Sequence, residues 1–191
     1  MNASKTELIQ VQSNRFIHNW RKGEGVEPYP HYEPIREKFR GEVAVLERFL
    51  KDEELGALAL NQCEVTYINH IEPSEVWHYH GELEKVFAMW SGLKNAAFLP
   101  NPEDAGLQVR FPITNDTGKL VGRLNVIIQP AWKKTDNSPI LAMNLTARGT
   151  PLADNVDGAF AFLDLGREWI VKAFADLTTA GMQRAWERIN G

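Results

Sequence analysis

Apolar and polar residues alternate over residues 7–20. Ile9 and Val11 share one face, Ser13-Asn14 interrupts, and Phe16, His18 and Trp20 then align, a pattern that predicts a β-hairpin. A Gly/Pro-rich loop, "RKGEGVEPYPHYEP", follows. From Pro34 the period changes: Ile35, Phe39, Val43, Leu46 and Leu50 recur at spacings of three and four, predicting an amphipathic helix to about Asp52 with proline in its first turn. Alternation returns in "QCEVTYINHI", where Cys63, Val65, Tyr67, Asn69 and Ile71 oppose Glu64, Thr66, Ile68 and His70, and Pro73 ends the strand. Leu83, Val86, Phe87 and Trp90 predict a short helix with Glu82 and Glu84 in its first turn and a stop at Gly92. "LQVRFPI", "KLVGRLNVIIQ" and "PILAMNLTAR" read as three strands joined by the turn "TNDTG" and the loop "PAWKKTDNSP". Leu163, Ile170, Ala173, Phe174 and Leu177 mark a long helix. Thr178 or Thr179 then caps a last helix carrying Met182, Ala185, Trp186 and Ile189.

The order ββ-α-β-α-βββ-α-α predicts an α+β fold. Its antiparallel sheet is expected to have about six strands, with helices packed largely on one face, in a single domain over residues 1–191. It lacks the strand-helix alternation and the glycine-rich phosphate loop of doubly wound nucleotide enzymes.

Composition narrows the partners. The formal net charge of −4 offers no basic excess for nonspecific nucleic-acid binding, so no nucleic acid is expected. No apolar run reaches the roughly 18 residues of a membrane span, and "MNASKTE" is too polar for a signal peptide, so the expected location is cytoplasmic, without membrane association. Cys63 is the single cysteine, which suits a reducing compartment, and its apolar surroundings predict an inert core thiol.

Candidate chemistry concentrates in "NHIEPSEVWHYHGELE", residues 69–84, which holds three of the five histidines. His70, His78 and His80, with Glu72 or Glu75, are the candidate metal ligands, since imidazole and carboxylate suit zinc, iron or nickel. His78-x-His80 with Glu84 resembles the first metal motif of cupins. Two features oppose that likeness: no histidine follows His80, and Glu84 belongs to the predicted helix. The plainer reading has His78 and His80 preceding the helix, capping it or packing on Trp77. No cofactor is expected. Ser74 and Ser91 lack the glycine context of a nucleophile elbow, and Glu53-Glu54 and Glu82/Glu84 read as solvated helix faces, so no catalytic residue is nominated.

A second constellation comes from the three consecutive strands. Arg110, Arg123, Asn125, Asn144, Thr146 and Arg148 occupy positions opposite the Leu/Val/Met rows and are expected to share one face, suited to an anionic ligand or an acidic partner. The alternative is a plain water-facing sheet surface. Trp20, Trp77, Trp132 and Trp186 fall near loops or the terminus and are the interface candidates among the six tryptophans.

The strings "LIQVQSNRFIHNWRK", "YPHYEPI", "CEVTYINHI", "LTARGTP" and "FLDLGREWIVKAFADLT", followed by Trp186, resemble a sporadically distributed prokaryotic family for which no activity is established. The resemblance spans residues 8 to 188 and implies no catalytic residue or cofactor. Members of that family usually carry further sequence before the stretch like "LIQVQ". The resemblance therefore implies an uncovered edge strand at residues 8–12, closed by a second copy or by another protein. Three functions are compatible with these features. The leading one is a non-enzymatic binding or interaction domain, such as a regulator, an immunity-type protein or a chaperone-like partner. The others are a metal- or ligand-dependent enzyme built around His70, His78 and His80, and a small-molecule carrier with a cavity between the sheet and the Leu163–Leu177 helix.

Overall fold

The computed structural model describes residues 6–23, 29–93 and 96–186. The fold is α+β, and its elements follow the expected order: β1 (Glu7–Gln12), β2 (Arg15–Trp20), α1 (Tyr32–Asp52), β3 (Cys63–Ile71), α2 (Leu83–Val86), β4 (Leu107–Thr114), β5 (Leu120–Trp132), β6 (Pro139–Gly149), α3 (Val156–Leu177) and α4 (Ala180–Ala185). The strands divide between two antiparallel sheets, β1-β2 and β3-β6-β5-β4, in place of one sheet of about six. The chain divides into two compact units, Met1–Ala59 and Leu60–Gly191.

In the first unit, Gln12 pairs with Arg15 across the Ser13-Asn14 turn, and the register brings Ile9 opposite His18 and Val11 opposite Phe16. Phe16 stacks on Phe39 with ring centroids 5.5 Å apart, and His18 Nδ1 lies 2.7 Å from the Glu42 carboxylate of α1. Val43 is the buried apolar residue of this unit among those described.

The second unit holds the main core. Leu124, Val126 and Ile128 of β5 and Leu141, Met143, Leu145 and Ala147 of β6 are all essentially inaccessible, because these central strands bury alternate side chains beneath α3. Gly122 and Gly149 are direct partners across β5 and β6. A Cβ on Gly149 would lie 2.2 Å from the Val121 carbonyl and 2.4 Å from the Phe162 ring, so the glycine pair makes room for that ring. The carboxamide of Asn155 caps α3 by accepting from the Gly158 N–H at 2.7 Å, a cap absent from the sequence reading. Thr179 caps α4 as expected, accepting from the Met182 N–H, while Ile189 lies outside the described residues.

Two boundaries differ from expectation. α2 is a single turn and does not run to Gly92, because Phe87 turns extended and bridges Thr178. Two hydrogen bonds fix this bridge, from Ala88 N–H to the Leu177 carbonyl and from Thr179 N–H to the Val86 carbonyl. β5 continues through Pro130, Ala131 and Trp132, which the pattern assigns to a loop, because β6 pairs with it as far as Pro139.

Candidate functional site

Strand alternation and register together build the open face of the four-stranded sheet. Residues opposite one another in an antiparallel pair lie on the same face. Glu64, Arg148, Arg123 and Pro112 therefore form one cross-strand row over β3-β6-β5-β4, and Thr66, Thr146, Asn125 and Arg110 form the next. Ile68, Asn144, Ile127 and Gln108 make the third. The six polar residues expected on one face do share it. Pro112 is tolerated because β4 is an edge strand.

The three arginines are exposed and differ in their bonding. Arg148 Nε donates to Glu64 at 2.5 Å, so its charge is largely offset by a neighbour. Arg110 Nε donates to Asn125 Oδ1 at 2.9 Å, which fixes the side chain along the row and leaves both Nη groups available. Among the described residues Arg123 reaches only the carbonyl of its neighbour Gly122, at a long 3.4 Å. Thr66 and Thr146 join their hydroxyls at 3.0 Å. Asn144, in the third row, has its Oδ1 closed off from solvent without a donor among the described residues. A cleft of about 380 Å³ opens at the end of β5 and β6, lined in part by Asn61, Gln62, Arg123, Arg148 and Thr150.

The histidines are dispersed. His70 is exposed on the open face, opposite Ala142. His78 is two-thirds exposed, with its backbone N–H and its ring both directed at Glu82. His80 is 5% exposed: its Nε2 lies 3.1 Å from the Ala131 carbonyl and 2.9 Å from the Ile140 carbonyl, and its ring meets Trp132 edge-on. Two carbonyl acceptors require a proton on Nε2, so that nitrogen is a donor and offers no lone pair to a metal. Among the described residues no three His, Cys, Asp or Glu side chains gather as a metal site would require, so His70, His78 and His80 are not brought together as one ligand set. Burial raises the Glu82 carboxyl. Hydrogen bonds from Lys85 and from the His78 backbone, with the Lys85 charge, outweigh it and hold the group below its ordinary range.

Trp77 is fully buried, with its indole N–H donated to the Glu72 carbonyl at 2.9 Å, and so is not a surface candidate. Trp132 is 52% exposed, and Trp20 and Trp186 are half-buried. Cys63 is buried, and desolvation pushes its thiol up to about 11, which makes it a weak nucleophile at neutral pH.

On the helix-covered side of the same sheet lies a second cleft, of about 420 Å³, lined by Tyr67 and Asn69 of β3, Ile170, Val171 and Phe174 of α3, and Trp186. Asn69 Nδ2 is closed off from solvent and has no acceptor among the described residues. Of these residues Trp186 alone is a candidate from the sequence, as an interface tryptophan, although an amide inside the apolar row Val65, Tyr67, Ile71 is the signal that marks this cleft. No protein-family model, no curated protein and no solved structure matches the chain.

Proposed function

We propose that the protein is a non-enzymatic binding domain whose open sheet face holds an acidic peptide segment of a partner. The observation that carries this reading is the sharing of one face by Arg110, Arg123 and Arg148 with Asn125, Asn144 and Thr146. Arg110 and Arg123 keep guanidinium donors free for carboxylates, which they engage with two parallel hydrogen bonds. The aliphatic neighbours Ile68, 66% exposed, and Ile127 in the same row give that peptide apolar contact.

The test is calorimetric titration with an oligoglutamate peptide at low and high salt. Binding is expected at low salt and weakens as salt screens the charges. The double variant Arg110→Gln/Arg123→Gln is expected to lose about a hundredfold in affinity, roughly tenfold for each charge-assisted contact. Absence of binding at low salt, or unchanged affinity in the double variant, refutes the reading. The same reading adds a second contact along β1, which has β2 as its one strand neighbour among the described residues and carries the exposed Ile9 and Val11. A second copy of the chain is its proposed occupant.

A further inference from the structure

We infer that the cleft between β3 and α3 binds a small, neutral, planar aromatic molecule bearing a hydrogen-bond donor such as a primary carboxamide. The site is distinct from the sheet face assigned above. Asn69 is the register partner of Met143, a core residue, whereas the arginines occupy the alternate positions. The inference stands whether or not that face binds a peptide.

Size, shape and chemistry converge on this ligand class. At about 420 Å³ the cleft falls within the range of small-molecule sites, roughly 300–1,000 Å³. Phe174 and Trp186 stack with centroids 5.4 Å apart and planes inclined by 30°, so an aromatic pair forms one wall. Tyr67 adds a third ring from the strand, and Ile170 and Val171 supply aliphatic surface. Flat apolar surfaces of this kind favour a planar ring, which stacks or meets edges without losing rotamer freedom.

None of the described lining residues carries a charge, so an ionised ligand would lose its hydration without compensation from them, and a neutral one is selected. The polar handle is Asn69. Packing alone would favour an apolar residue in the row of Val65, Tyr67 and Ile71, yet this amide sits there with Nδ2 unsatisfied. Oδ1 is not enclosed with Nδ2 and makes no bond among the described residues, so it is the amide atom left to accept from a guest in the cleft. A ligand N–H donated to Oδ1 then makes a hydrogen bond that the folded chain leaves unmade.

The experiment is a titration of uniformly ¹⁵N-labelled full-length protein with benzamide, with toluene as the ring-only control, followed by proton–nitrogen correlation spectra. Benzamide is expected to produce a saturable shift of the Asn69 side-chain amide pair, assigned by its loss in Asn69→Leu, and to bind more tightly than toluene. Asn69→Leu is expected to weaken benzamide about tenfold, the size of one buried hydrogen bond, and to leave toluene binding unchanged. Trp186→Leu is expected to weaken both probes. A missing saturable shift at the solubility limit of benzamide, equal affinity for benzamide and toluene, or equal benzamide affinity in the wild type and Asn69→Leu each overturns the proposal. The comparison of the two probes in the unmodified protein stands even if a variant fails to fold.

Discussion

Cys63 opens β3 with 8% of its surface exposed, and burial lifts its thiol from 9.0 to about 11. The folded chain holds that proton more tightly than the unfolded chain does. Its contribution to stability is therefore complete below pH 9 and is lost as pH rises through about 11. Two units of pKa correspond to at most about 2–3 kcal/mol. Chemical denaturation at pH 9 and pH 11 should show a steeper loss in the wild type than in Cys63→Ala, and equal losses would place the cause elsewhere. The burial of this thiol was legible from its apolar row. His80 was not, because the two carbonyls that hold its ring belong to Ala131 and Ile140, brought together only when β5 and β6 pair. The open face was legible because alternation assigns each residue to a side, and pairing of consecutive strands aligned Arg110, Arg123 and Arg148 without any further information. The β3–α3 cleft was legible only as a layer between sheet and helix, since its aromatic wall depends on where Trp186 lands after α4.

Elements with a strong period were readable almost to the residue, as in α1, where apolar positions at three and four residue spacing fix both length and face. α2 was not, since Leu83, Val86, Phe87 and Trp90 satisfy a helical period while Phe87 serves an extended bridge instead. A local pattern carries no information about such a distant partner. Glycines divide in the same way between local and tertiary roles. Gly41 lies on an exposed part of α1 with open space where a Cβ would go, so Gly41→Ala should raise stability by about 0.5–1 kcal/mol through helix propensity. Gly149→Ala should lower it by about 1–3 kcal/mol, because the new methyl meets the Val121 carbonyl of β5 and the fully buried Phe162 ring of α3. Thermal unfolding of the two variants checks the opposite signs.

At the scale of the whole molecule, the strand count was readable but the partition into sheets was not. Alternation shows that a strand has a buried side, yet it does not name its neighbour, and β1-β2 pair with each other apart from β3-β6-β5-β4. The proposed pairing along β1 belongs to this scale. Light scattering after size-exclusion chromatography should find a dimer that Val11→Lys converts to a monomer, since charge on an edge strand opposes strand addition. A wild-type monomer at all concentrations would exclude that contact. No helix among the described residues is long and apolar enough to cross a membrane. The bridge between Phe87 and Thr178 bears on the order of folding. It joins segments separated by β4, β5, β6 and α3, so its chain-closure entropy falls due only after that sheet and helix are in place. The single turn of α2 and the α4 segment it anchors should be the last parts to assemble and the first to open locally. Trp186 follows α4, so one wall of the aromatic cleft belongs to the latest-forming piece of the molecule, and a guest lodged there would act as a clasp on the chain's own final step of folding.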